Sequence, residues 1–319
     1  MARDIEIDLG DFALERGSAL KNDVVRGRLY GPEGAPVIII SGGISASRHV
    51  ADGGKKGRGW WSTLVHRGGP IDIDRFQVLG FDFAPNLDSE SRPETITTLD
   101  QARRLIALMD GLGIGQAAAF IGSSYGGMVA LKLAETWPDR IANLCIIGAA
   151  HKPYPIGVAW RGIQRRAVRL AVEAGRPNDG LKLARELAMT TYRTAEEFAD
   201  RFTLEETAQN PSRFDICDYL GSRGDAYAEL MDAGRFLALS ESIDLHRVEP
   251  EAISIPVLLM GAISDQLAPL PDMRELRDRL SGPSEFYTFT SLYGHDAFLK
   301  EYDAMSPRIA RFCNELSHA

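Results

Sequence analysis

The chain has 319 residues, 45% of them hydrophobic and 25% charged, with a formal net charge of −8. That length can bury a large core and allows one domain with an insertion, while the acidic balance argues against general nucleic-acid binding and says little about small ligands. The three cysteines, Cys145, Cys217 and Cys313, have no metal-like spacing and suit a reducing cytosol, so the expected location is cytoplasmic and no metal is expected. The opening residues carry no apolar region of signal-peptide type, and no later run approaches a membrane span.

In chain order, residues 24–30 read as an edge strand, followed by a turn at Gly31-Pro32-Glu33-Gly34. Val37-Ile38-Ile39-Ile40 is a short, continuous apolar run, as expected of a strand buried on both faces. Residues 76–82 form the next strand, and 98–112 an amphipathic helix with Leu99, Ala102, Leu105, Ile106 and Met109 on one side. Strands at 117–121 and 141–147 follow. After Ala150 the pattern changes to helical periodicity with no convincing strand, with helices expected at 167–174, 181–189, 195–202 and 226–240. Strands return at 255–261 and 285–289. Parallel strands joined by helices imply an α/β class with a doubly wound, mostly parallel sheet. The core is expected at 1–150 and 249–319, with 151–248 inserted as a helical cap that covers the site and shapes it.

Phe120-Ile121-Gly122-Ser123-Ser124-Tyr125-Gly126-Gly127-Met128 reads as a strand end, Gly-x-Ser-x-Gly, then a helix start. This is the nucleophile elbow of the α/β-hydrolase fold, which strains the serine and exposes its hydroxyl at a helix N-terminus. Ser124 is therefore the candidate nucleophile. A serine needs a base and an orienter, in the chain order Ser, Asp or Glu, His. Among six histidines, His295 stands out by its place after the last strand, in Gly294-His295-Asp296. Asp265, just past the strand at 255–261, is the candidate orienter, ahead of Asp244, which precedes that strand, and Asp272, which suits a helix N-terminus. An oxyanion hole takes two donors. One is the N–H of Tyr125, and the other is that of Gly43 or Ile44 in the loop after 37–40, with Ile44 favoured.

More of the chain, from about Gly42 onward, resembles the homoserine O-acyltransferase family. The motifs are Gly59-Trp60-Trp61 with Ile71-Asp72-Ile73-Asp74-Arg75, Ser124-Tyr125-Gly126-Gly127-Met128, Gln164-Arg165-Arg166-Ala167-Val168, Ala184-Arg185 running to Thr191-Tyr192-Arg193-Thr194, Ser264-Asp265-Gln266, and Gly294-His295-Asp296-Ala297-Phe298-Leu299. The resemblance implies a triad of Ser124, Asp265 and His295, with Arg193 holding the acceptor's carboxylate and Asp296 its amino group, a pairing that suits an amino acid. It implies ping-pong transfer of an acetyl or succinyl group from acyl-CoA, a co-substrate, to homoserine ahead of methionine synthesis, with no bound cofactor. The partners it implies are small molecules, not nucleic acid or membrane, and a homodimer is the candidate assembly. One departure is the loop Phe83-Ala84-Pro85-Asn86-Leu87-Asp88-Ser89-Glu90, where the family usually has a Gly/Ser/Thr-rich one. It leaves open acetyl or succinyl as the donor and homoserine or serine as the acceptor. The rival readings are an esterase or thioesterase with the same triad, for which Arg193 and Asp296 are replaceable, and a non-catalytic member of the fold, which need not keep a complete triad.

Overall fold

The computed structural model describes residues 2–53, 57–89, 95–207 and 210–316. Glu90 and His318 lie outside the described residues. The centre is an eight-stranded sheet of β1 (Arg3–Ala13), β2 (Ala19–Tyr30), β3 (Val37–Ser41), β4 (Gln77–Phe81), β5 (Ala119–Ser123), β6 (Leu144–Ile147), β7 (Val257–Ala262) and β8 (Ser284–Phe289), in the spatial order β1-β2-β4-β3-β5-β6-β7-β8. β2 runs antiparallel to both of its neighbours, and all pairs from β4 to β8 are parallel. With the elbow at Ser124 and the flanking helices, this mostly parallel sheet is the expected α/β-hydrolase fold.

The apolar run of β3 explains its central place. Side chains alternate across a strand, so Val37 and Ile39 enter one core cluster and Ile38 and Ile40 the opposite one. Helices α1 (Thr98–Gly111), α2 (Tyr125–Thr136) and α8 (Leu270–Arg279) supply the first cluster, and α9 (Tyr302–Leu316) the second. α1 starts where Thr97 and Asp100 form a reciprocal capping box.

The edge strand expected at 24–30 is only part of β2, and the true edge is β1. Its Ile5, Ile7 and Leu9 alternate with polar residues and are half-buried over the core, a period-two signal that charged neighbours partly hide. Between β6 and β7 the chain forms α3 (Pro155–Glu173), α4 (Pro177–Tyr192), α5 (Ala195–Arg201), α6 (Asp215–Ala228) and α7 (Ala233–Leu245). The helix expected at 226–240 is two helices, because the chain breaks between Ala228 and Ala233 and Asp232 caps α7. A short strand pair, Glu206–Thr207 with Asn210–Phe214, also stands where no strand is expected. Val168, Leu181, Ala184, Tyr227, Met231, Ala233 and Phe236 give this segment a small core of its own, against which Ile44 of the sheet domain packs. No helix among the described residues is long and apolar enough to cross a membrane.

Candidate active site

Ser124 sits between β5 and α2 at φ 51° and ψ −122°, a conformation that side-chain-bearing residues rarely hold and that costs about 1–3 kcal/mol. The turn is tight enough to require glycine on either side. A Cβ at Gly122 would lie 2.5 Å from the Gly126 carbonyl oxygen, and one at Gly126 would lie 2.4 Å from that of Ser41. Strain and close packing together turn the Ser124 hydroxyl out at the carboxyl end of the sheet.

Two neighbouring strand ends deliver its partners. β7 leads to Asp265 and β8 to His295, which stands in a short 3-10 turn. Ser124 Oγ lies 2.8 Å from His295 Nε2, and His295 Nδ1 lies 2.8 Å from Asp265 Oδ2. The other oxygen of Asp265 accepts from the backbone N–H groups of Leu267 at 2.8 Å and Ala268 at 3.0 Å. That fixes the carboxylate and selects the His295 tautomer with its proton on Nδ1, leaving Nε2 free to accept from Ser124. Burial works against both charges, but it is outweighed. The Asp265 charge and hydrogen bond raise the His295 pKa, and His295 with the two backbone donors holds Asp265 below its ordinary value.

The competing acids are occupied elsewhere. Asp244 pairs with Arg161 and Arg165, and Asp272 lies in the first turn of α8. Tyr125 opens α2, so its N–H is one of those a helix leaves unpaired. Ile44 lines the same cavity as Ser124, as does Gly43.

That cavity, of about 200 Å³, is walled by Ile44, Trp60, Arg185, Tyr192, His295 and Asp296. Trp60 donates to the Ser47 carbonyl at 2.9 Å, and Trp61 to that of Phe298 at 2.9 Å, so the Gly-Trp-Trp motif braces the loops on both sides. A second, narrower lobe also reaches Ser124 and His295, and Lys152, Arg161 and Gln164 line it. A larger hollow at Tyr30, Asp52, Arg67 and Asp74 shares none of these residues.

The acceptor residues expected from the sequence divide. Asp296 lines the main cavity. Arg193 does not. It is the C-cap residue of α4, in extended backbone, and its buried guanidinium is held by Glu197 at 2.8 Å and by Asp296 itself at 3.3 Å. Without a ligand, the Arg193 cation is thus committed to two buried carboxylates, and it braces Asp296. The cation facing this cavity is Arg185, to which the Ala184-Arg185 motif by itself gave no role. Its signal was spacing: Arg185 and Tyr192 lie about two turns apart on α4 and therefore share one face, whereas Arg193 falls beyond the helix end. The Arg185 guanidinium packs over the rings of Tyr192 and Tyr227, at 5.7 and 5.3 Å from their centroids.

The arrangement can activate a serine, stabilise an oxyanion and hold a small zwitterion beside both. Among the described residues, no group of three or more His, Cys, Asp or Glu side chains is placed to share a metal ion.

The chain as a whole is similar to known proteins. Residues 35–302 match the α/β-hydrolase fold family. A homoserine O-succinyltransferase of Xanthomonas campestris pv. campestris is 40% identical over 88% of this chain and 76% of its own length. A serine O-succinyltransferase of Litchfieldella anticariensis is 29% identical over 95% of this chain and 96% of its own. The crystal structure of a homoserine O-acetyltransferase from Staphylococcus aureus superposes with a TM-score of 0.84 at 25% identity, covering 98% of this chain and 96% of that one.

Proposed function

The chain belongs to the α/β-hydrolase fold family and, within it, to the homoserine O-acyltransferases, and from that premise we propose that it moves an acyl group from acyl-CoA to homoserine through an acyl-Ser124 intermediate, in methionine biosynthesis. The observation that carries this reading is the unbroken Ser124–His295–Asp265 chain, with 2.8 Å at each link, opening into a cavity that presents both a cation and an anion.

In the first half-reaction His295 Nε2 takes the proton of Ser124 as Oγ attacks the thioester carbonyl. The oxyanion sits on the N–H groups of Tyr125 and Ile44. The C–S bond then breaks, His295 returns the proton to the departing thiolate, and CoA leaves. In the second half the acceptor's carboxylate binds Arg185 and its ammonium binds Asp296, which Arg193 holds in place. His295 takes the proton from the acceptor's hydroxyl, the new ester forms, and Ser124 Oγ is released and reprotonated. Asp265 keeps the tautomer and stabilises the imidazolium throughout. The helical segment 151–248 serves as a lid that keeps water from acyl-Ser124.

Succinyl is the acyl group placed first. Arg161 and Arg165 share the single carboxylate of Asp244 at 2.6 Å each, which leaves a surplus positive charge beside the narrow lobe at Ser124. A dicarboxylic acyl chain suits that surplus better than acetyl does, and the 40% relative is named for succinyl transfer. The test is thiol release by the purified protein, crossing acetyl-CoA and succinyl-CoA with homoserine and serine. Release that needs an acceptor and is fastest with succinyl-CoA and homoserine supports the reading. Acceptor-independent release at an undiminished rate identifies a thioesterase instead.

A further inference from the structure

We propose that Arg235 is a positioning residue that sets the oxyanion hole by clamping its two walls from within the helical segment. The proposal rests on Ser124 as nucleophile and on Ile44 and Tyr125 as the oxyanion donors. Arg235 lies in the first turn of α7 and is 7% exposed. Among the described residues no carboxylate forms an ion pair with it. Its guanidinium instead donates to three main-chain carbonyls, those of Pro85 at 2.8 Å, Ile44 at 3.3 Å and Phe83 at 3.3 Å. A charge at this depth with no carboxylate partner is costly unless its donors are satisfied, and here the three carbonyls, with the Met231 Sδ at 3.4 Å, satisfy it. Burial accordingly pulls its pKa below the ordinary arginine value.

Each contact bears on the hole. The Ile44 carbonyl belongs to the residue whose N–H is one proposed donor, so holding it restricts that residue's backbone. The Phe83 ring packs edge-on against the Tyr125 ring, with centroids 4.8 Å apart, and Tyr125 carries the other donor. One planar fork thus ties both walls to α7, a geometry that lysine, a single point of donation, cannot reproduce. Because α7 belongs to the helical segment, Arg235 also couples that segment's seating to the quality of the hole. The residue touches neither nucleophile nor base, so its loss should lower the rate of forming a tetrahedral state without altering the ionisation of His295.

The probe is ethyl fluorophosphonate labelling of Ser124. Oγ bonds to phosphorus, fluoride departs, the serine proton passes to His295, and the phosphoryl oxygen occupies the oxyanion hole. Labelling rates are measured from pH 5 to 9 for the wild type, Arg235→Met and Arg235→Lys, with thermal unfolding run alongside. The expected result is a limiting rate reduced about 100-fold in Arg235→Met, the scale of losing one oxyanion donor, and by a smaller factor in Arg235→Lys. The midpoint of the pH profile should stay at the wild-type value in both. Wild-type rates in both folded variants overturn the proposal. So does a rate loss accompanied by a displaced midpoint, which marks general loosening of the triad, and so does failure of both variants to fold. A wild type that takes no label on Ser124 instead defeats the nucleophile assignment beneath it.

Discussion

Exchanging Arg185 and Arg193 separately for methionine should give opposite signatures. Arg185 faces the cavity and stacks on Tyr192 and Tyr227, so Arg185→Met removes a cation that a bound carboxylate would use, and among the described residues Arg185 forms no ion pair that the change would break. A hydrogen bond to a charged group contributes about 1.5–3 kcal/mol, which corresponds to a rise of about 10- to 150-fold in the homoserine KM, with little change in Tm. Arg193 bridges Glu197 and Asp296 with all three side chains largely buried. Arg193→Met strands Asp296 and leaves Glu197 with only its 3.3 Å contact to Arg201, and breaking a buried pair costs about 3–5 kcal/mol. Its main signature should be a fall of several degrees in Tm, with a secondary loss of acceptor binding as Asp296 loosens. Thermal unfolding and steady-state transfer read these effects, and the CoA burst in the absence of homoserine separates the two half-reactions. Both variants, where folded, should still release CoA in a burst. If Arg185→Met keeps the wild-type KM while Arg193→Met raises it at unchanged Tm, Arg193 and not Arg185 holds the acceptor's carboxylate.

Ser124→Ala should abolish turnover, and intact-mass measurement should find one acyl group on the wild type and none on the variant after exposure to donor alone. Asp265→Asn should lower the rate about 10⁴-fold through the wrong tautomer. It should also move the acidic limb of the pH–rate profile: the base is neutral His295, whose pKa stands above 6.5 because of Asp265, so wild-type activity falls as pH drops through that raised value, and removing the Asp265 charge shifts the midpoint downward. An unmoved midpoint would mean that another group governs the limb. Arg104→Met should destabilise without touching catalysis, since Arg104 forms a two-point pair with Asp23, at 2.6 and 3.0 Å, deep in the core. The loss should be about 3–5 kcal/mol in chemical denaturation, and an unchanged denaturation midpoint would show the pair to be dispensable.

The sequence by itself determined the features that depend on local pattern. The unbroken apolar run of β3 announced a strand covered on both faces, because alternating side chains there must all be apolar. The glycines around Ser124 announced the elbow, since only residues without a Cβ let β5, α2 and the Ser41 backbone approach so closely. The order of Ser124, Asp265 and His295 followed from chain order relative to those strands. Local pattern misled where polar residues diluted it, as in β1, and where a cap rather than a breaker residue separated helices, as at Asp232.

Only tertiary structure decided which charges meet. The linear reading names Arg193 alone as the anchor, and what sets Arg185 apart from it is that α4 ends at Tyr192. That ending turns Arg193 toward Glu197 and Asp296 and leaves Arg185 on the cavity face. Arg235 carried no sequence signal, because its partners are main-chain carbonyls about 150 and 190 residues away in the chain. Helix periodicity and motif spacing record which residues share a face, whereas pairing across such distances is set by how the helical segment seats on the sheet, a packing outcome with no local period to read.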